Sequence, residues 1–72
     1  MLTPREKQIL LKIVAELNNR EIAQGLGISY RTVENYRRSI IRKTKIRHVA
    51  GLVKYAIRQG WVEAYHYQNK NF

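Results

Sequence analysis

The chain is predicted to be all-α, a compact four-helix domain, and three observations carry that expectation. Apolar residues recur at helical spacing in successive segments, with no segment reading as a strand. Side chains that cap helix starts stand ahead of those segments, at Thr3, Asn18 and Ser29. The single proline, Pro4, sits where a first helical turn accepts it, while Gly27 and Gly60 sit where chain reversals need them.

The first helix is expected over about 4–16. Thr3-Pro4-Arg5-Glu6 supplies a capping hydroxyl, a proline at the first helical position and a carboxylate three residues after the cap. Ile9, Leu10, Ile13, Val14 and Leu17 form the apolar stripe, and Leu2 stands ahead of the cap as a staple. Asn18 and Glu21 repeat the capping arrangement for a short second helix over 19–26, with Ile22, Ala23 and Leu26 facing inward. Gly27 takes the positive φ of a tight turn and Ile28 plugs the corner.

Ser29 caps a third helix, expected over 30–43, whose inward stripe is Val33, Tyr36 and Ile40. A fourth helix is expected over 48–58, with Val49, Leu52, Tyr55 and Ala56 as its packing set and Gly60 as its stop. The domain is thus drawn over 1–60. In the tail, 61–72, Trp61 and Val62 are expected to pack back and the last half-dozen residues to be loose.

Charge narrows the function. Fourteen Lys and Arg against five Asp and Glu give a formal net charge of +9 in 72 residues. Such an excess opposes compaction by self-repulsion, so a polyanionic partner is its natural explanation. The excess is also local: Arg31, Arg37, Arg38, Arg42, Lys43, Lys45 and Arg47 crowd one stretch in which Glu34 is the only acid. There are no cysteines, so neither a disulfide nor a cysteine-ligated metal supports so small a core. No apolar run approaches the about twenty residues that span a bilayer, and the start lacks a signal peptide's apolar segment, so a cytoplasmic location is expected.

The basic stretch lies on a helix with two faces. Opposite Val33, Tyr36 and Ile40 runs a polar stripe of Arg31, Glu34, Asn35, Arg38 and Arg42. Helix two, the glycine turn and helix three together make a support that holds this stripe out toward a major groove of double-stranded DNA. On that reading Glu34 accepts from cytosine N4, Asn35 pairs with adenine and Arg38 bridges guanine O6 and N7. Arg31, Thr32, Arg37, Arg42, Lys43 and Lys45, with the Tyr36 hydroxyl, are placed for phosphates, and Ser29 leaves helix-terminal amides free for the same use. Glu34 has a competing role, holding Arg38 through an i, i+4 pair.

These residues resemble the C-terminal helix-turn-helix domain of the LuxR/FixJ (NarL-type) family of bacterial transcription regulators. The resemblance runs from Leu2 to Gly60 and is carried by Leu2-Thr3-Pro4-Arg5-Glu6 with Ile9-Leu10, by Asn19-Arg20-Glu21-Ile22-Ala23, and by Leu26, Ile28-Ser29, Thr32-Val33, Arg42-Lys43 and Gly60. It implies a third helix that reads the major groove, with the positions of Glu34, Asn35 and Arg38 toward bases and those of Thr32, Arg42 and Lys45 near the backbone. It also implies a dimer contact on the fourth helix, for which Ala50, Val53, Lys54 and Ile57 are the candidates, and a preceding receiver or sensor domain. The chain departs from the family pattern at Glu16, where glycine usually ends the first helix, at Glu34, at Asn35-Tyr36 and at Thr44.

No catalytic arrangement is expected. Ser29 has no histidine or carboxylate in a plausible relation to it, and a domain this small leaves little room for a substrate cleft. His48 and His66 lack a third ligand at metal spacing, so no metal or cofactor is implied. The competing expectation is a protein-interaction module whose fourth helix docks a sensor domain or RNA polymerase. Generic binding to RNA or an anionic membrane is weaker, because the apolar face of the charged helix is needed by its neighbours.

Overall fold

A computed structural model describes residues 1–64. Four helices follow one another: α1 Pro4–Val14, α2 Asn19–Leu26, α3 Tyr30–Thr44 and α4 Val49–Arg58, with no strand among the described residues. Each of the first three starts where its cap directs. The Thr3 hydroxyl accepts from the Glu6 amide at 3.1 Å while the Glu6 carboxylate accepts from the Thr3 amide at 2.8 Å, a reciprocal capping box. Asn18 and Glu21 repeat it with two bonds of 2.8 Å. Ser29 accepts from the Thr32 amide at 3.0 Å. His48, ahead of α4, makes no side-chain cap.

The reversals after α1, α2 and α4 share one geometry. A residue at positive φ donates to the carbonyl three back, and its successor donates to the carbonyl five back. Gly27 (φ 67°) and Gly60 (φ 78°) fill two of these positions, and Glu16 (φ 71°) fills the third. The helix expected to reach residue 16 therefore ends at Val14. Glu16 takes the left-handed conformation that the sequence gives no glycine to supply, and Leu17 turns inward onto the core instead of continuing the helix.

The core is built from Ile9, Leu10, Ile13 and Val14 of α1, Ile22 and Ala23 of α2, Val33 and Ile40 of α3, and Leu52 and Ala56 of α4. α1 packs against all three other helices, and α2 packs against α3. Leu26, Ile28, Tyr36, Tyr55, Trp61 and Val62 are half-buried around that centre. Trp61 packs against the core, with its ring edge-on to Tyr55 at 5.7 Å and under the Lys7 ammonium at 4.8 Å. Val49 does not join the core. It begins α4 and is 44% exposed, so the packing of that helix rests on Leu52 and Ala56, with Val53 and Tyr55 packed at the margin of the core. The expected looseness of the last residues falls on 65–72, outside the described residues.

Candidate nucleic-acid interface

The fifteen residues of α3 make a rod of roughly 22 Å, buried along one side only. Val33 is wholly buried and Ile40 nearly so, while Arg31, Asn35, Arg38 and Arg42 are exposed and Glu34, Arg37 and Tyr36 half-buried. The sequence-derived stripe is therefore one continuous surface. α2 packs against α3, and its small Ala23 lies in the core, only 7% exposed. Ser29 and Thr32 share a hydroxyl hydrogen bond of 2.8 Å, which fixes the first turn that the stripe grows from.

Within the stripe the pairing differs from the simplest expectation. The Arg38 guanidinium (Nη1) donates to the Asn35 side-chain carbonyl (Oδ1) at 2.7 Å. Glu34 has neither an ion pair nor a side-chain hydrogen bond with a described residue. Arg38 is thus held by an i, i+3 neighbour, and the i, i+4 alternative for Glu34 is not formed.

Toward the C-terminus of α3 lies a second cluster that sequence reading missed. Glu6, a capping residue of α1, is 4% exposed, and its carboxylate accepts from Lys43 Nζ at 2.8 Å and from the Ser39 hydroxyl. Arg42 in turn donates to Ser39 at 3.3 Å. These bonds hold the Glu6 carboxyl at a pKa of about 2, against an ordinary 4.5. The Lys43 bond is the largest cause, then the Ser39 and Thr3 bonds, and burial opposes them. Lys43, expected at a phosphate, has its ammonium committed to the α1–α3 contact, because a buried carboxylate requires a countercharge. No local signal joins two residues 37 apart in the chain. The clue available was a basic residue one turn after Ser39 on the inner margin of α3.

Lys45 ends α3 in the left-handed region (φ 62°) and is exposed, as is Arg47. Just inside, the Thr44 hydroxyl donates to the Ile40 carbonyl and accepts from the Ile46 amide, closing the helix end where an apolar residue is usual in the family pattern. At the other end Tyr30, 51% exposed, borders a shallow groove with Asn18, Asn19 and Arg20, a placement that sequence periodicity did not single out. On α4, Ala50 and Lys54 are exposed and Ile57 is half-buried, while Val53 packs against the core. Among the described residues no cluster of His, Cys, Asp and Glu has metal-binding spacing, and no helix is long and apolar enough to cross a membrane.

A short braced helix, a left-handed glycine turn and a longer helix with one free basic face define a helix-turn-helix domain. The profile GerE, described as bacterial regulatory proteins of the luxR family, matches residues 1–56. The chain belongs to that family. It is 48% identical over 61 residues to the transcriptional regulatory protein MctR of Rhizobium johnstonii, covering 85% of this chain and 28% of that protein. It is 49% identical over 55 residues to the probable transcriptional regulator ycf29 of Cyanophora paradoxa (76% and 26%). With the transcriptional regulatory protein FixJ of Bradyrhizobium diazoefficiens it shares 39% over 59 residues (82% and 29%). The chain spans less than a third of the length of these curated relatives.

Proposed function

We propose that the domain binds double-stranded DNA sequence-specifically, as the output end of a bacterial transcription regulator, with α3 in the major groove. The observation that carries this reading is the division of α3: Val33 and Ile40 locked in the core, and Arg31, Asn35, Arg38 and Arg42 exposed along the opposite side. A helix so anchored presents its polar face at a fixed angle, which is what base-edge contacts require. The family, and relatives named as transcriptional regulators, support the same reading.

In this reading Glu34, Asn35 and Arg38 face base edges. Arg31, Thr32, Arg37, Arg42 and Lys45, with the Ser29 turn and the Tyr36 hydroxyl, meet phosphates, and Tyr30 adds a hydroxyl at that rim. Ala50, Val53, Lys54 and Ile57 of α4 form the contact between two copies on adjacent half-sites. A receiver or sensor domain and RNA polymerase are the further partners, the location is cytoplasmic, and the domain has no catalytic role.

Selection of bound duplexes from a random pool, followed by affinity against salt, tests the reading. A common motif should emerge, and log K should fall linearly with log salt as phosphate counterions are released. Preferential enrichment of single-stranded RNA, or of no nucleic acid, would refute it. A partner protein captured through α4 would then favour an interaction module.

A further inference from the structure

We propose that Asn35 is a positioning residue for Arg38, and that the pair biases the exposed face of α3 toward guanine, so that the domain reads a G·C-containing step and Asn35 reads no adenine. This rests on the DNA-binding reading above and specifies what that reading would recognise.

Asn35 needs both halves of its amide to read adenine: Oδ1 accepts from the N6 amino group while Nδ2 donates to N7. Oδ1 is already engaged by Nη1 of Arg38 at 2.7 Å. A carbonyl oxygen has a second lone pair, but an adenine amino group using it would approach the guanidinium, donor against donor. What Asn35 retains is its amide donor.

Arg38 gives up one of its N–H groups and keeps the rest of its planar fork. Its exposed side chain, otherwise free to sample many rotamers, is held near one of them before any ligand arrives, which reduces the entropy lost on binding. Arg38 and Asn35 together present donors only. The major-groove edge of guanine presents N7 and O6, acceptors only, whereas adenine sets a donor beside its N7 and thymine offers a single O4. Guanine is the base whose edge matches the fork.

Glu34 supplies the complement. It is an acceptor-only side chain four residues before Arg38, with no ion-pair partner among the described residues. Cytosine N4 is the donor that fits it. Side chains at i and i+4 lie about 6 Å apart, so Glu34 and Arg38 address neighbouring base pairs.

The test is duplex selection from a random pool with the unaltered domain, Asn35→Ala and Asn35→Asp, with thermal unfolding checking that each variant stays folded. The unaltered domain should yield a guanine-dominated position and no obligatory adenine. Asn35→Ala should reduce the preference for guanine there by about tenfold and alter no other position. Asn35→Asp, which keeps an oxygen for Arg38, should restore it. An adenine position that Asn35→Ala erases while guanine persists would overturn the proposal, as would equal losses in both variants or a motif that Asn35→Ala leaves unchanged. Failure of the unaltered domain to enrich any motif would instead remove the DNA-binding reading, and this inference with it.

Discussion

Glu6→Gln isolates the charge of the buried Glu6 carboxylate from its shape. Glutamine retains an oxygen for the Thr3 amide and a polar atom opposite Ser39, but loses the ionic partner of Lys43. The lowering of the Glu6 pKa from 4.5 to about 2 sets an upper bound of about 3 kcal/mol on what ionisation contributes to folding. The Lys43 side chain is 32% exposed, so solvent screens the pair, and a discounted loss of about 1–2 kcal/mol at pH 7 is expected. In a domain of this size that corresponds to a drop in Tm of roughly 5–15 °C. Because the folded carboxyl titrates near 2 and the unfolded one near 4.5, the contribution is present above about pH 5 and disappears as pH falls toward 2. Urea unfolding of both proteins between pH 7 and 2 is the assay. The two stability curves should be separated at neutral pH and converge in acid. A variant as stable as the parent at pH 7, with the same loss on acidification, would refute the assignment of Glu6–Lys43 as an interior ion pair.

Three further outcomes are expected. Arg42→Ala should weaken binding to selected and random duplexes alike and reduce the salt slope by about one, whereas Arg38→Ala should cost about 1–3 kcal/mol on the selected duplex and relax its sequence preference; affinity titrations on both duplexes at several salt concentrations separate the two. Glu16→Gly should be more stable than Glu16→Ala by about 1 kcal/mol in thermal unfolding, since both lose the side chain while only glycine suits the φ of 71° that Glu16 occupies. Gly51→Ala should lower stability by about 1 kcal/mol despite better helix propensity, because the added Cβ would meet Ile46 Cγ2 at 2.6 Å and that branched side chain is stiff.

Much of the fold was legible because its signals are local. Thr3, Asn18 and Ser29 satisfy amides within three residues of themselves, so helix starts follow from the sequence directly. Helix ends were less so. The glycine ends at Gly27 and Gly60 were visible, but the α1 end falls on Glu16, whose side chain gives no hint of a left-handed backbone, and only comparison with a family pattern marked it. Val49 was misassigned because apolar spacing tells which residues share a helix face, and not whether the first turn of that helix reaches its neighbours.

By itself the sequence determined four amphipathic helices, a glycine corner between α2 and α3, and a basic stripe opposite an apolar one, because caps, φ preferences and the 3.6-residue period act over a few residues. Only the tertiary structure decided how the charges within that basic stretch are used. Lys43 is drawn inward by a carboxylate on another helix, while within α3 Arg38 is held by Asn35 and Glu34 has no partner among the described residues. Charge is a property of composition, but its partner depends on which side chains lie within a few ångströms after folding, and that distance is set by how α1 and α3 pack.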